Sequence, residues 1–337
     1  MTGRRSGIAA AGSWIVDRVK RIDAYPREDT LANILDEQVG NGGCAYNVLV
    51  DLARLGAVFP LRAIGLLGED GDGAAIRLDC RTHGIDTRGL GTATGSTSYT
   101  DVMTVSSTGR RTFFHQRGVN VLLDIDDILA HIGDTRILHL GYLLLLDRLD
   151  EPHPTAGTRA AEALRCAQEA GVATCIDVVS EDSQRFARIV APALRYCDYC
   201  IVNEFEAERT TGITLRDGDG PAWDRLPLAC QALLEHGVRS WAVIHFPEGA
   251  VARSARGEVV VQRSVALPSD RIAGSVGAGD AFAAALLHGL HEDLPMVTCL
   301  QDACSVAAAS LTVATASDGV LSLAECRRLA QGLGFRS

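Results

Sequence analysis

The sequence predicts an α/β fold in which a mostly parallel sheet is covered by helices on both faces, with a small β-sheet lid beside it. Three observations predict this. Strand-like and helix-like segments alternate along most of the 337 residues. The strand-like runs are almost continuously apolar, as strands buried on both faces are. Residues 19–39 and 92–118 are extended and break the alternation, so they belong outside the parallel sheet.

The elements follow in order. Residues 8–11 and 15–16 read as a first strand. Residues 42–55 read as a helix closed by Gly56, and 60–66 as a short strand. Residues 74–83 form a helix closed by Gly84, since glycine past the last turn tolerates the left-handed conformation that ends helices. A hairpin joins 97–105 to 110–116 through Ser106-Ser107-Thr108-Gly109. Residues 136–140 are a buried strand. A helix over 155–170 is followed by Gly171, and 172–178 is an apolar strand. Then come a helix over 184–196, a strand over 199–202, a helix over 224–236 and a strand over 241–245. Helices over 280–291, 296–314 and 322–332 end the chain. No repeat or linker divides it, so one domain over 1–337 is expected, with a lid from about 17–40 and 92–118.

Bulk properties exclude several functions. A net charge of −10 argues against nucleic acid or an anionic membrane as partner. Lys20 is the single lysine, so no Gly-x-x-x-x-Gly-Lys-Ser/Thr phosphate loop exists. The ten cysteines are scattered through apolar stretches and read as buried reduced thiols. Cys197 and Cys200 form a C-x-x-C that runs into a strand, which suits neither metal nor redox use. The first residues lack the apolar core of a secretory signal. The apolar run around 137–146 is too short to span a membrane. A cytoplasmic location is expected. The acidic turns 69–73 and 217–220 lack the full calcium-loop pattern and read as solvated turns. His288 and His291 share a helical face without a third ligand and read as surface residues.

Gly277-Ala278-Gly279-Asp280, followed by an Ala-rich apolar run, is the most informative stretch. Glycines let an anion approach the backbone, and the first N–H groups of a helix are unpaired and partly positive. The stretch therefore reads as an anion cradle with a carboxylate at its lip. Asp280 could take a proton from a hydroxyl that attacks a phosphoryl group. As an isolated segment it reads equally as an ordinary N-cap.

Ligands of open α/β sheets bind at the carboxyl ends of strands. Asp177, Asn203, Glu206 and His245 lie at or just after predicted strand ends. Asn203 and Glu206 are three apart and share a helical face, where an amide and a carboxylate can hold a hydrated Mg²⁺; the same pair also reads as a capping box. Gly42 and Gly43 start a helix carrying Asn47, whose amide can donate and accept, as a polyol requires. A plain loop-to-helix turn reads the same way. Asp17 could accept hydrogen bonds from sugar hydroxyls or be a solvated loop carboxylate.

With these residues assembled, the chain resembles the ribokinase-like (pfkB-type) carbohydrate kinases. Gly42-Gly43-Cys44-Ala45-Tyr46-Asn47-Val48, with Leu52-Ala53-Arg54-Leu55-Gly56-Ala57, looks like the family's N-terminal signature. Residues 64–73, with Gly84-Ile85-Asp86-Thr87, resemble the strand and turn that follow. Asn203 and Glu206 match its Asn-x-x-Glu motif. Gly277-Ala278-Gly279-Asp280 matches the C-terminal signature. The resemblance implies a three-layer ribokinase-like sandwich and an ATP- and Mg²⁺-dependent transfer of the γ-phosphoryl group to a hydroxyl of a sugar or sugar-like molecule. In that reading Asp280 is the base, and Gly277, Ala278 and Gly279 stabilise charge through their N–H groups. Asp17, Gly42, Gly43 and Asn47 hold the acceptor, with His115, Arg117 and Asn120 as further contacts. Asn203 and Glu206 order Mg²⁺ and phosphate, Glu206 through water. Cover for the lid's exposed face suggests a homodimer.

Departures from the pattern are specific. Gly274-Ser275-Val276 stands where the family has Asp-Thr, which leaves its monovalent-cation site in question. Cys44 replaces a frequent lysine, and Ile15 stands two before Asp17 where asparagine is usual. Residues 245–249 differ on the nucleotide side. The alternatives are a nucleoside kinase of the same fold, and a binding sensor that has lost turnover.

Overall fold

The computed structural model describes residues 5–218, 220–313 and 315–337. Residues 1–4, Asp219 of the second acidic turn and Ala314 at the expected end of a helix lie outside the described residues.

The strands are β1 (Ile8–Gly12), β2 (Ile15–Ile22), β3 (Ile34–Gly42), β4 (Leu61–Gly68), β5 (Asp86–Ala93), β6 (Ser98–Val105), β7 (Arg111–Gln116), β8 (Ile137–Leu143), β9 (Pro152–His153), β10 (Gly157–Thr158), β11 (Ala173–Val178), β12 (Tyr199–Asn203), β13 (Arg216–Asp217), β14 (Gly220–Pro221), β15 (Trp241–Phe246), β16 (Gly249–Ser254) and β17 (Val259–Arg263). Nine of them form one sheet in the order β17-β16-β15-β12-β11-β8-β1-β4-β5. Every pairing from β5 to β15 is parallel, and β16 and β17 add antiparallel at one edge. Successive residues of β1 show why both faces are apolar. Ile8 and Ala10 enter one core with the helices Cys44–Leu55 and Ala278–His291; Ala9 and Ala11 enter the other with Arg159–Glu169 and Phe186–Leu194. The parallel strands all deliver their carboxyl ends to one edge of the sheet, where Asp177, Asn203 and His245 stand.

A second, four-stranded sheet has the order β3-β2-β6-β7. Its centre is the parallel pair β2 and β6, and Asp17 of β2 is in register with Thr100. Residues 15–16 start this sheet and are not part of the first strand. The chain turns at Gly12 (φ 138°) and buries Trp14, whose Nε1 donates to Ile64 O at 2.9 Å. Gly65 makes room for that indole, since a Cβ there would lie 2.1 Å from its nitrogen.

Other boundaries also differ from expectation. The helix expected over 155–170 begins at Arg159, because the chain first makes the β9–β10 pair and Thr158 then caps the helix by accepting Ala161 N–H at 3.1 Å. The hairpin of β16 and β17 had no counterpart in the sequence reading. His291 is not a surface residue: it stacks on Phe59 with ring centroids 3.7 Å apart, and its Nε2 accepts Gly7 N–H at 2.8 Å. All ten cysteines are free thiols, and all but the half-buried Cys166 are buried. Asp70 of the first acidic turn caps the helix Gly71–Thr82 and accepts from Gly73 and Thr97, which accounts for that turn without calcium. No helix among the described residues is long and apolar enough to cross a membrane.

One ion pair fastens the last two helices. Asp302, buried in Met296–Ser310, is held by Arg327 Nε and Nη2, both at 2.7 Å. Arg327→Ala leaves that carboxylate without its donors. Because the arginine is itself partly exposed, water recovers some of the loss, and a cost of about 1–3 kcal/mol is expected. It should show as a lower urea midpoint with unchanged slope.

Candidate active site

The helix Ala278–His291 begins two residues before Asp280, with Gly277 at its cap in a left-handed conformation (φ 76°). Asp280 is thus a first-turn residue and not the N-cap. Among the described residues no side chain caps this helix. Its leading N–H groups are therefore left for water or an anion. A Cβ on Gly277 would lie 2.4 Å from Ala316 O, so only glycine lets the turn pack against residues 315–318.

Asp280 is buried, and its Oδ2 accepts Asn47 Nδ2 at 2.8 Å and Tyr142 OH at 3.3 Å. Burial raises its pKa, opposed by hydrogen bonds from Asn47, Cys44 and Tyr142. Asn47 is also buried, and its Oδ1 faces Ser317 Oγ at 3.5 Å. Its amide is spent mostly on the carboxylate. Asp17 lies across the site, its pKa raised to about 6 by burial and by the charge of Asp280, against a hydrogen bond from Thr100. Gly42 is required beside it, since a Cβ would stand 2.2 Å from Asp17 Oδ2. Gly43 (φ 91°) caps the helix Cys44–Leu55 against Ser13 O. Asp17, Gly42, Gly43, Asn47 and Asp280 are therefore brought together.

Asn203 and Glu206 form the capping box of the helix Glu204–Thr211. Glu206 Oε2 accepts Asn203 N–H at 2.9 Å, while Oε1 accepts Asn203 Nδ2 and Ser180 Oγ, both at 2.7 Å. Burial pushes the Glu206 pKa to about 7, with Asp280 adding to the rise. Asp177 is raised well above its ordinary value by burial, then by the charges of Glu206 and Asp280. The charge of Asp280 thus disfavours ionisation of Asp17, Asp177 and Glu206, and Glu206 does the same to Asp177. Such a site favours a cation or a proton. With both Glu206 oxygens already accepting hydrogen bonds, the residues fit a Mg²⁺ reached through water.

On the far side of Gly279 lies a cavity of about 560 Å³. Its walls include His245, Phe246, Phe282, Ala307 and Leu311. His245 stacks on Phe282 at 4.9 Å between ring centroids, and burial pushes its pKa to about 4, so it stays neutral. A flat, apolar slot opening onto uncapped helix N–H groups suits a planar base carrying a phosphate tail.

The further contacts expected from 115, 117 and 120 serve other ends. Asn120 is buried and bonds the backbone of Trp14 from both ends of its amide, at 3.4 and 3.1 Å. Arg117 is paired with Asp147. His115 Nδ1 lies 3.0 Å from Thr100 Oγ1 and reaches Asp17 only through that hydroxyl. Tyr142 was not anticipated. It follows the expected strand end, and its left-handed backbone (φ 59°), rare for a bulky residue, aims its hydroxyl at Asp280.

Comparison with known proteins identifies the family and the fold. A family model described as pfkB family carbohydrate kinase matches residues 7–322. An ATP-dependent ribose-1-phosphate kinase of Halopiger xanaduensis is 27% identical over 170 residues, which are 50% of this chain and 53% of that protein. The match therefore spans about half the length of that relative. A fructokinase of Escherichia coli is 28% identical over 274 residues, 78% of this chain and 82% of that protein. Among solved structures, Arabidopsis thaliana ribokinase complexed with ribose and ATP superposes with a TM-score of 0.79 at 21% identity, covering 97% of this chain and 99% of that one. A nucleoside kinase of Methanocaldococcus jannaschii gives 0.74 at 14% identity, covering 98% and 99%.

Proposed function

From the premise that this chain belongs to the pfkB family of carbohydrate kinases, we propose that it transfers the γ-phosphoryl group of ATP to a hydroxyl of a sugar or sugar-like acceptor, with Asp280 as the base. One observation carries this: Asp280 stands on the first turn of an uncapped helix, next to an apolar cavity that Gly279 lines, and its neighbours Asn47 and Asp17 lead to a second pocket that Asp17 lines. Asp17 accepts a hydrogen bond from the acceptor and orients it. Asp280 takes the proton of the attacking hydroxyl, while Asn47 and Tyr142 hold the carboxylate in place. The N–H groups of Gly277, Ala278 and Gly279 face the charge that develops on the transferred group. Asn203 and Glu206 would hold Mg²⁺ through water, where it would neutralise phosphate charge.

The four-stranded sheet closes over the acceptor as a lid in this reading, excluding water. It exposes Ile34, Leu35, Val39, Phe113 and Phe114. Pairing of two such sheets in a homodimer would cover them. Sedimentation of the wild type beside Phe113→Ser/Phe114→Ser tests that pairing, and a wild-type monomer would reject it.

The test of function is ADP release, with ATP and Mg²⁺, across sugars, sugar acids, polyols and nucleosides. Release with one sugar supports the reading. Release with nucleosides only would replace it with a nucleoside kinase. Silence with ATP still bound would favour a sensor.

A pH dependence follows from the same groups. Asp17 must be ionised to accept from a hydroxyl, so kcat/KM should fall as pH drops through about 6. Stability runs the opposite way. In the folded protein Asp17 is raised to about 6 and Glu206 to about 7, above the ordinary 3.8 and 4.5 of an exposed carboxyl. Their contribution is complete below the lower values and lost as pH rises through the higher ones. The ligand-free protein should therefore lose thermal stability from about pH 4 to 7 at these two sites, and Glu206→Gln should flatten that slope.

A further inference from the structure

Three side chains beside Asp280 converge on a point to which the phosphoryl transfer gives no role. Cys44, His139 and Asp177 are all buried, and one ligand atom of each lies within 4.8 Å of the other two. Cys44 Sγ is 3.2 Å from His139 Nε2 and 3.3 Å from Asp177 Oδ2. These are near the separations of neighbouring ligands on a tetrahedral ion with bonds of about 2.0–2.3 Å. We propose that Cys44, His139 and Asp177 form a binding site for a thiophilic divalent cation of the zinc class, with its fourth position facing Asp280.

The surroundings are those of a ligand set. Asp177 Oδ1 accepts its own Val178 N–H at 2.7 Å, which leaves Oδ2 for the ion. His139 Nδ1 faces Cys175 Sγ at 3.4 Å. Donation from Nδ1–H to that sulfur leaves the Nε2 lone pair toward Cys44, the orientation a second contact gives to metal-bound histidines. Gly141 provides the space, because a Cβ there would lie 2.3 Å from Cys44 Sγ and 3.5 Å from His139 Nε2. The donor set is one sulfur, one nitrogen and one oxygen. It selects zinc-class ions over Mg²⁺, which prefers an all-oxygen octahedron. Binding displaces the Cys44 thiol proton and the proton that burial favours on Asp177, and both leave to solvent. No oxidation occurs.

The ion would occupy Asp280, the proposed base. Resting on the kinase reading, Zn²⁺ would inhibit in competition with the acceptor and not with Mg·ATP.

The decisive measurement does not depend on turnover. The metal-free full-length protein is titrated with Co²⁺ and followed by absorption. One equivalent giving tetrahedral d–d bands and a thiolate charge-transfer band is expected. Cys44→Ser should lose the charge-transfer band and weaken Zn²⁺ at least tenfold in chelator competition. Retention of the band in Cys44→Ser places the thiolate elsewhere and overturns the proposal. So does binding without tetrahedral bands, or no binding at all. If Cys44→Ser fails to fold, X-ray absorption of wild-type Zn²⁺ protein decides. One sulfur at about 2.3 Å with nitrogen and oxygen at about 2.0–2.2 Å supports the site, and an all-oxygen shell rejects it.

Discussion

Asp280→Asn is expected to lower kcat by about 10²–10⁴-fold, the usual worth of a general base, with little change in KM for ATP. Asparagine has nearly the same shape, and its amide oxygen can still accept Asn47 Nδ2, which stands 2.8 Å from the native carboxylate. What it cannot do is receive the proton of the attacking hydroxyl. The fold should not suffer. Asp280 raises the pKa of Asp17, Asp177 and Glu206, so removing its charge relieves repulsion within the cavity. The thermal midpoint should stay level or rise. A rate loss with retained stability and retained ATP affinity identifies Asp280 as the base. Full turnover in the variant would remove that role, whatever the chain phosphorylates.

Gly277→Ala is expected to be nearly as severe for a different reason. The residue has φ 76°, and an added Cβ would lie 2.4 Å from Ala316 O and 2.7 Å from Ala316 Cα. Backbone cannot swing aside as a side-chain tip can. The turn must therefore move, and with it the N–H groups at the start of Ala278–His291. A displaced set of such donors costs about 10²–10³ in kcat. Left-handed strain and crowding together should also cost about 1–3 kcal/mol of stability. Gly279→Ala is the informative comparison. Its Cβ would meet the His245 ring at 3.3 Å, at the wall of the apolar slot. That substitution should raise KM for ATP more than it lowers kcat. Equal effects from the two substitutions would argue that the glycines serve only the helix turn.

Much of the site was legible along the chain because it resides in local patterns. Gly277-Ala278-Gly279-Asp280 needs only its own neighbours to form a helix start. The pairs Gly42-Gly43 and Asn203/Glu206 are likewise local turn and cap chemistry, and the capping box is present as read. The structure shows the capping reading of Asn203 and Glu206, and the role toward Mg²⁺ stays a proposal. The box orients Glu206, and burial then raises its pKa to about 7. Asn120, by contrast, looked like a contact residue and instead holds the Trp14 turn. No sequence pattern distinguishes an amide that faces a ligand from one that faces a distant backbone.

Fold class, family and the glycine turns can be read along the chain, and so can Asp280 as the candidate base. Apolar periodicity, helix stops and short motifs act over a few residues, so they can be read in one dimension. Which side chains meet depends on the three-dimensional fold. Tyr142 reaches Asp280 across 138 positions, and Cys44 meets Asp177 across 133. The same fold sets the protonation balance of Asp17, Asp177, Glu206 and Asp280, since burial and repulsion arise only once two strands of different sheets and two helices bring them near one another. Local propensity determines how each segment folds; burial and charge in the assembled cavity determine its chemistry.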